Sequence, residues 1–108
     1  MSNTFKNYPS AGVGTTAVDV YTAGAGVQAT IIGMTIANIT ASNVTADVKA
    51  TAGGVTVYIV KGALIPPGGA LVPIGGDQKV VLEAADKLTV QCDTASAVDV
   101  LLSVLEIA

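Results

Sequence analysis

The amino-acid sequence predicts an all-β protein: a single-domain antiparallel β-sandwich, immunoglobulin-like or jelly-roll-like, with about seven or eight strands. Turn-forming segments rich in Gly, Pro, Asn, Asp and Ser recur along the chain, separated by runs of about five to eleven residues. The apolar residues are chiefly Val, Ile, Ala and Leu, whereas aromatic residues make up only 4% of the chain. No segment shows helical periodicity between helix caps. A chain of 108 residues is long enough for one domain with a substantial core.

The N-terminal segment differs in character from the rest of the chain. Residues 1–15 show no strand periodicity, yet they contain the only Phe, Phe5, together with Tyr8. We expect an extended N-terminal arm over residues 1–15 and a β-sandwich domain over residues 16–108. Two alternatives remain open for the arm: it docks on a neighbouring subunit through its aromatic pair, or it packs back on its own sandwich or is disordered.

Eight strands are predicted within the sandwich domain, and most of them alternate apolar and polar residues. Such alternation is typical of a sheet with one buried and one exposed face. In the seventh of these strands Leu88, Val90 and Cys92 share the apolar face. Cys92 is therefore predicted to be a buried, unreactive thiol. The predicted strands cover residues 16–22, 28–39, 44–51, 54–61, 70–74, 78–83, 87–93 and 97–107.

Three predicted strands break this alternation and are apolar on both faces. In the strand 70–74, Leu71 lies opposite Val72 and Ile74, and Pro73 indicates an edge strand or a bend between sheets. In the strand 28–39, Ile32, Met34 and Ile36 form one face, and Ile31 and Ile39 lie on the other. The last strand buries every second residue and presents further aliphatic side chains outward. A two-layer sandwich has one interior, so apolar residues on its outer faces must be shielded from water by something other than the core. We favour contact with other subunits; sheet curvature with loops folded over the outside is the alternative. The candidate interface residues are Phe5, Tyr8, Ile31, Ile39, Leu101, Leu105 and Ile107.

No catalytic, cofactor-binding or metal-binding residues are predicted. The chain has no histidine, which excludes Ser–His and Cys–His pairs and His-bearing metal sites. The acidic residues occur singly, at turns or on outward strand positions, and Asp77 is the best isolated candidate for a calcium ligand. Two N-glycosylation sequons, at Asn38 and Asn43, are expected to be accidental because the N-terminus lacks the pattern of a secretory signal.

Composition also excludes two classes of partner. The net charge is −3, with five lysines and no arginine, so no basic patch for nucleic acid is expected. No apolar run approaches the roughly 18 residues of a transmembrane helix, so no membrane partner is expected.

Three segments of the chain carry a resemblance to a known group of proteins. IIGMTIANITASNVTADVKAT, YIVKGALIPPGGALVPIGGDQKVVLEAADKLTVQC and ASAVDVLLSVLEI resemble small bacteriophage virion structural proteins, from about residue 31 to residue 107. Ala84–Ala85 replaces the proline–glycine pair that is usual in that family's corresponding turn. The resemblance implies a β-sandwich module present in many copies on a virion.

The function expected from this resemblance is that of a capsid decoration (cement) protein that stabilises the assembled shell. The expected partners are the major capsid protein or other virion subunits and further copies of the same chain, and the expected location is the virion. Two alternatives are a neck, tail or fibre-adaptor ring subunit, and a carbohydrate-binding adhesin module. The adhesin alternative requires exposed aromatic side chains, of which the sequence has few.

Overall fold

A computed structural model describes residues 2–75 and 79–108, and every regular element in this part of the chain is a β-strand. It has no helix long and apolar enough to cross a membrane within those residues. The strands are β1 (Asn3–Val13), β2 (Val18–Thr22), β3 (Gln28–Asn38), β4 (Val44–Ala52), β5 (Val55–Ile65), β6 (Ala70–Ile74), β7 (Val80–Leu82), β8 (Lys87–Cys92) and β9 (Val98–Ile107).

The strands form two antiparallel sheets packed face to face. Sheet A has the order β1-β9-β3-β6, with β7 also paired to β3, and sheet B has the order β2-β8-β4-β5. The predicted all-β antiparallel sandwich is therefore confirmed. The described residues contain nine strands instead of seven or eight, because the N-terminal segment adds an edge strand to the eight predicted from residue 16 onward.

The core lies between the sheets and consists almost wholly of aliphatic side chains. Strand β4 up to Thr51 and the whole of β8 alternate between buried and half-buried residues, as their sequences predict. Each fully buried Val, Leu, Ile or Met side chain contributes about 1.5–3 kcal/mol through the hydrophobic effect. The largest fully buried side chains are Ile31, Met34, Ile36, Val44, Val48, Ile65, Ile74, Leu82, Leu88, Val90, Val98 and Leu102.

Cys92 is buried at the end of β8, as predicted. Its Sγ donates a hydrogen bond to the carbonyl oxygen of Thr94 at 2.9 Å. We expect the folded protein to resist a thiol reagent and to be labelled stoichiometrically in denaturant, as measured by mass spectrometry. A Thr89→Cys variant, which adds a thiol on the opposite face of the same strand, should gain one label while folded. Rapid labelling of Cys92 in the native protein would contradict this strand register.

The prediction that Ile31 points outward is wrong. Ile31 pairs with Val104 of β9, and Gly33 pairs with the preceding residue, Ser103, so Ile32 is one extra residue in β3. Such a β-bulge shifts the alternation by one position, because two residues then oppose one on the partner strand. Ile31 is fully buried before the bulge, Met34 is buried after it, and Ile32 is exposed between them.

Most of the segment predicted to be an arm is the edge strand β1, paired antiparallel with β9 from Asn3–Ile107 to Val13–Val98. Of the alternatives left open for it, packing against its own sandwich is the one observed. Tyr8 packs on the core, whereas Phe5 remains 73% exposed on the outer side. Pro9 is compatible with this position because a residue without an N–H group is tolerated at a sheet edge.

The turn between β7 and β8 holds Ala85 in a left-handed conformation, with φ of 71°. A Cβ atom is disfavoured there, whereas glycine adopts such a φ freely. We expect Ala85→Gly to stabilise the protein by about 0.5–1 kcal/mol in urea unfolding. The matched variant Ala84→Gly should bring no gain, since Ala84 does not have a positive φ. Equal effects of the two changes would contradict the assignment of strain to Ala85.

Candidate functional site

The outer face of sheet A carries two rows of mainly apolar side chains, separated by the hydrogen-bonded polar pair Asn7 and Ser103. The strand register places Phe5, Leu105, Thr30 and Val81 in one row across β1, β9, β3 and β7. A second row contains Pro9, Leu101 and Thr35. We call this surface the sheet A face, and its exposed large apolar residues are Phe5, Ile32, Val72, Val81 and Leu101.

A shallow groove lies within the sheet A face, beside Leu101. It has a volume of about 350 Å³ and is lined by parts of β1, β3 and β9. The lining is mainly apolar and small, with Asp99 as its one charged residue. The Oδ1 atom of Asp99 accepts a hydrogen bond from the Gly12 backbone N–H at 2.9 Å. The lining residues of this Leu101 groove are Pro9, Ser10, Ala11, Thr35, Ala37, Asp99, Val100 and Leu101.

A second group of exposed apolar side chains follows β5, an edge strand of sheet B. We call it the β5 patch: Tyr58 and Leu64 lie on the outer face of sheet B, and Val55 and Val57 lie on the opposite face of the same strand. The Nζ atoms of Lys49 and Lys61 lie 5.2 and 5.1 Å from the centre of the Tyr58 ring, within the range of cation–π attraction. Neither lysine forms an ion pair within residues 2–75 and 79–108. A long apolar edge strand is a ready site for contact with another chain.

The structure separates the candidate interface residues into three groups. Three of them are exposed: Phe5, Ile39 and Leu101. Three are half-buried: Tyr8, Leu105 and Ile107. Ile31 is fully buried. The sheet A face brings Phe5, Leu101 and Leu105 together. Ile39 lies beyond the end of β3 and apart from them. Sequence reasoning did not identify the β5 patch, although the run VTVYIV, apolar on both sides, was a signal for it.

Glu106 is the centre of a polar cluster at one end of the sandwich. Its Oε2 atom accepts hydrogen bonds from the hydroxyl groups of Tyr8 at 2.8 Å and Tyr21 at 2.6 Å. Its Oε1 atom lies 3.5 Å from Lys6 Nζ. The two tyrosine rings pack edge to face, with centres 5.0 Å apart. Because Tyr21 belongs to β2, the cluster joins sheet B to both β1 and β9 of sheet A.

The electrostatics of this cluster fix its protonation state. The hydrogen bond from Tyr21, supported by Tyr8 and Lys6, holds the pKa of Glu106 below its usual value. Burial and the neighbouring Glu106 carboxylate raise the pKa values of Tyr8 and Tyr21 above 10. A carboxylate between two protonated phenols is a stable arrangement at neutral pH. Through these charge-assisted hydrogen bonds Glu106 links β2 of sheet B to β1 of sheet A.

Other carboxylates bind backbone amides of turns and bulges. Asp47 accepts from Gly62 N–H at 2.7 Å, and Asp93 accepts from Thr45 N–H at 3.0 Å. The hydrogen bond from the Thr45 backbone N–H is the main cause of the lowered pKa of Asp93. No group of three or more potential metal ligands occurs among the residues that the structure describes. The predicted calcium candidate, Asp77, lies outside those residues.

Comparisons with known proteins found similarity to solved structures, but not to a family model or a curated protein. A solved structure of Drosophila NLP-core superposes with a TM-score of 0.51 at 17% identity, over 95% of each chain. That structure was reported for its insight into pentamer formation and histone binding. At this level of identity the likeness establishes the fold alone.

The function predicted from the bacteriophage resemblance is wrong in the light of this comparison. The neighbour is a Drosophila protein described by pentamer formation and histone binding, not a capsid decoration protein, a neck or tail component, or an adhesin. The resemblance rested on the sequences of strands and turns, which indicate a fold and do not by themselves determine a function. The more general prediction, a homo-oligomer that has protein partners, agrees with the pentamer formation and histone binding described for the neighbour. Capsid partners receive no support.

Proposed function

We propose that this protein is a homo-oligomeric β-sandwich module that binds other proteins and has no catalytic role. The observation that carries the proposal is the presence of two separate apolar surfaces, the sheet A face and the β5 patch, outside a complete core. The structural neighbour, which is described by pentamer formation, supports a cyclic assembly.

The energy available from covering these surfaces is sufficient for assembly. Nine large apolar side chains are exposed on the two surfaces together. If each buries on the order of 80 Å² at about 25 cal/mol per Å², contact is worth roughly 18 kcal/mol. The loss of translational and rotational freedom costs about 4–15 kcal/mol, so a net gain remains.

The proposed partner is a protein, and charge favours a basic one. The chain carries a net charge of −3, and the neighbour is described by histone binding. Electrostatic complementarity acts mainly on association rate and selectivity, so binding to a basic protein should weaken steeply with salt. The affinity for the basic partner comes from assembly. Each subunit of a ring presents the same weak binding contact, and several such contacts acting together bind more tightly than one.

Sedimentation velocity tests the assembly. We expect the wild-type protein to sediment as an oligomer between about 10 and 100 µM, with five subunits if it matches the neighbour. A well-behaved monomer at 100 µM would contradict the proposal. It would leave the apolar surfaces as features of a monomeric sandwich. A mixture of histones, added at low and at high salt, then tests the preference for a basic partner.

A further inference from the structure

We propose that the sheet A face of one copy receives the β5 patch of the next, with Tyr58 of one subunit seated in the Leu101 groove of its neighbour. The inference rests on the proposed homo-oligomer and specifies which two surfaces meet.

The two surfaces are different and lie on different sheets. A two-fold interface brings the same patch of both subunits together, and it would cover one of these surfaces and leave the other exposed. A head-to-tail contact pairs the two different surfaces. When it closes into a ring, it covers the sheet A face and the Tyr58 side of the β5 patch in every subunit. The distribution of exposed apolar side chains therefore favours a head-to-tail contact.

Shape and charge make the Leu101 groove a suitable site for Tyr58. A cavity of about 150 Å³ can hold a benzene molecule, and the groove, at about 350 Å³, has room for a phenol ring. Lys49 and Lys61 flank the Tyr58 ring, and Asp99 is the one charged residue in the groove lining. An aromatic side chain in a pocket, with opposite charges around it, is typical of the residues that dominate binding energy.

The sheet A face is also large enough for a specific contact. Four strands spaced at about 4.8 Å and a strand length of about 33 Å give a flat area of roughly 600 Å². Standard interfaces bury about 800 Å² of each partner, and side-chain relief increases the buried area above the flat value. The groove lies within this area, so Tyr58 can act as an anchor inside a wider contact.

Two single substitutions and their mixture test the inference. Leu101→Lys places a charge in the groove, and Tyr58→Glu removes the aromatic anchor and introduces repulsion with Asp99. Because Leu101 is 49% exposed and Tyr58 48% exposed, both variants should fold with nearly unchanged thermal midpoints. Each change alone should weaken association by about 30-fold or more in sedimentation equilibrium.

The mixture distinguishes a head-to-tail contact from a two-fold one. Leu101→Lys protein keeps an intact β5 patch and Tyr58→Glu protein keeps an intact groove, so an equimolar mixture should regain association through one wild-type contact. The matched control is Thr22→Lys, an exposed position on β2 at the edge of sheet B remote from β5, which lies in neither surface and should leave association unchanged.

Failure of the mixture to regain association would overturn the head-to-tail contact. Dissociation by Leu101→Lys alone, with no effect of Tyr58→Glu, would overturn the inference in favour of a two-fold contact through the sheet A face. Unchanged association in both variants would overturn it while the proposed homo-oligomer stands. A monomeric wild type would overturn the proposed function and the inference with it.

Discussion

Replacing Asn38 with Ala is expected to destabilise the folded protein by about 3 kcal/mol, since buried hydrogen-bonding groups would lose their partner. Asn38 is the one buried polar residue in the described part of the chain. Its Nδ2 atom donates to the carbonyl oxygens of Ser42 at 2.8 Å and Ile65 at 3.0 Å. Its Oδ1 atom accepts from the backbone N–H and the hydroxyl group of Thr40, both at 2.8 Å. The side chain thereby connects the end of β3 in sheet A to the end of β5 in sheet B.

Asn43 provides the matched control, because it is exposed in the same loop and also begins an N-x-T sequence. Asn43→Ala should change the free energy of unfolding by no more than about 0.5 kcal/mol. Urea unfolding followed by circular dichroism measures both variants. Similar losses for the two changes would show that the hydrogen bonds of the Asn38 amide do not stabilise the fold.

The strand pattern was predictable where alternation is strict and each apolar residue has a polar neighbour. Strands β4 and β8 are of this kind, and their buried faces are as predicted. Strand β3 is different because Ile31 and Ile32 are both apolar, so a period of two does not show which of them points inward. The bulge at Ile32 depends on pairing with β9, some seventy residues later in the sequence, and leaves no local signature beyond the adjacent Gly33.

The surfaces were only partly predictable, because exposure depends on the positions of other strands. Leu101 was correctly expected on an outer face, since it alternates with the buried Val100 and Leu102. Val55 and Val57 of β5 would be buried in a central strand. They are exposed because β5 is the last strand of its sheet, and strand order does not follow from the pattern of one segment.

The Glu106 cluster had a sequence signal that could have revealed it. In β9, Glu106 is two residues beyond the buried Val104 and four beyond the buried Leu102. Alternation along the strand therefore places this acidic residue on the core-facing side. A carboxylate in that position requires hydrogen-bond partners. Its partners Tyr21 and Tyr8 are 85 and 98 residues away in the sequence, and only the folded chain identifies them.

Replacing Glu106 with Ala is expected to cost about 3 kcal/mol of folding free energy, because Tyr21 is buried and its hydroxyl group would lose its acceptor. Glu106→Gln keeps an acceptor oxygen but removes the charge, and it should cost less, about 1–2 kcal/mol. Glu83→Ala is the control, since Glu83 is an exposed acid in a turn. Its effect should stay within about 0.5 kcal/mol.

The pH dependence separates the charge of Glu106 from its size. The pKa of Glu106 is lower in the folded protein than the ordinary value of 4.5, so its stabilisation is complete above that value and is lost as the pH falls below it. The pKa of Tyr21 is raised from 10.0, so its stabilisation is complete below pH 10 and is lost as the pH rises further. The difference in unfolding free energy between wild type and Glu106→Gln should therefore be constant from about pH 5 to pH 9 and shrink in acid. A difference that stays constant down to pH 2 in urea titrations would mean that the Glu106 carboxylate contributes packing and not charge.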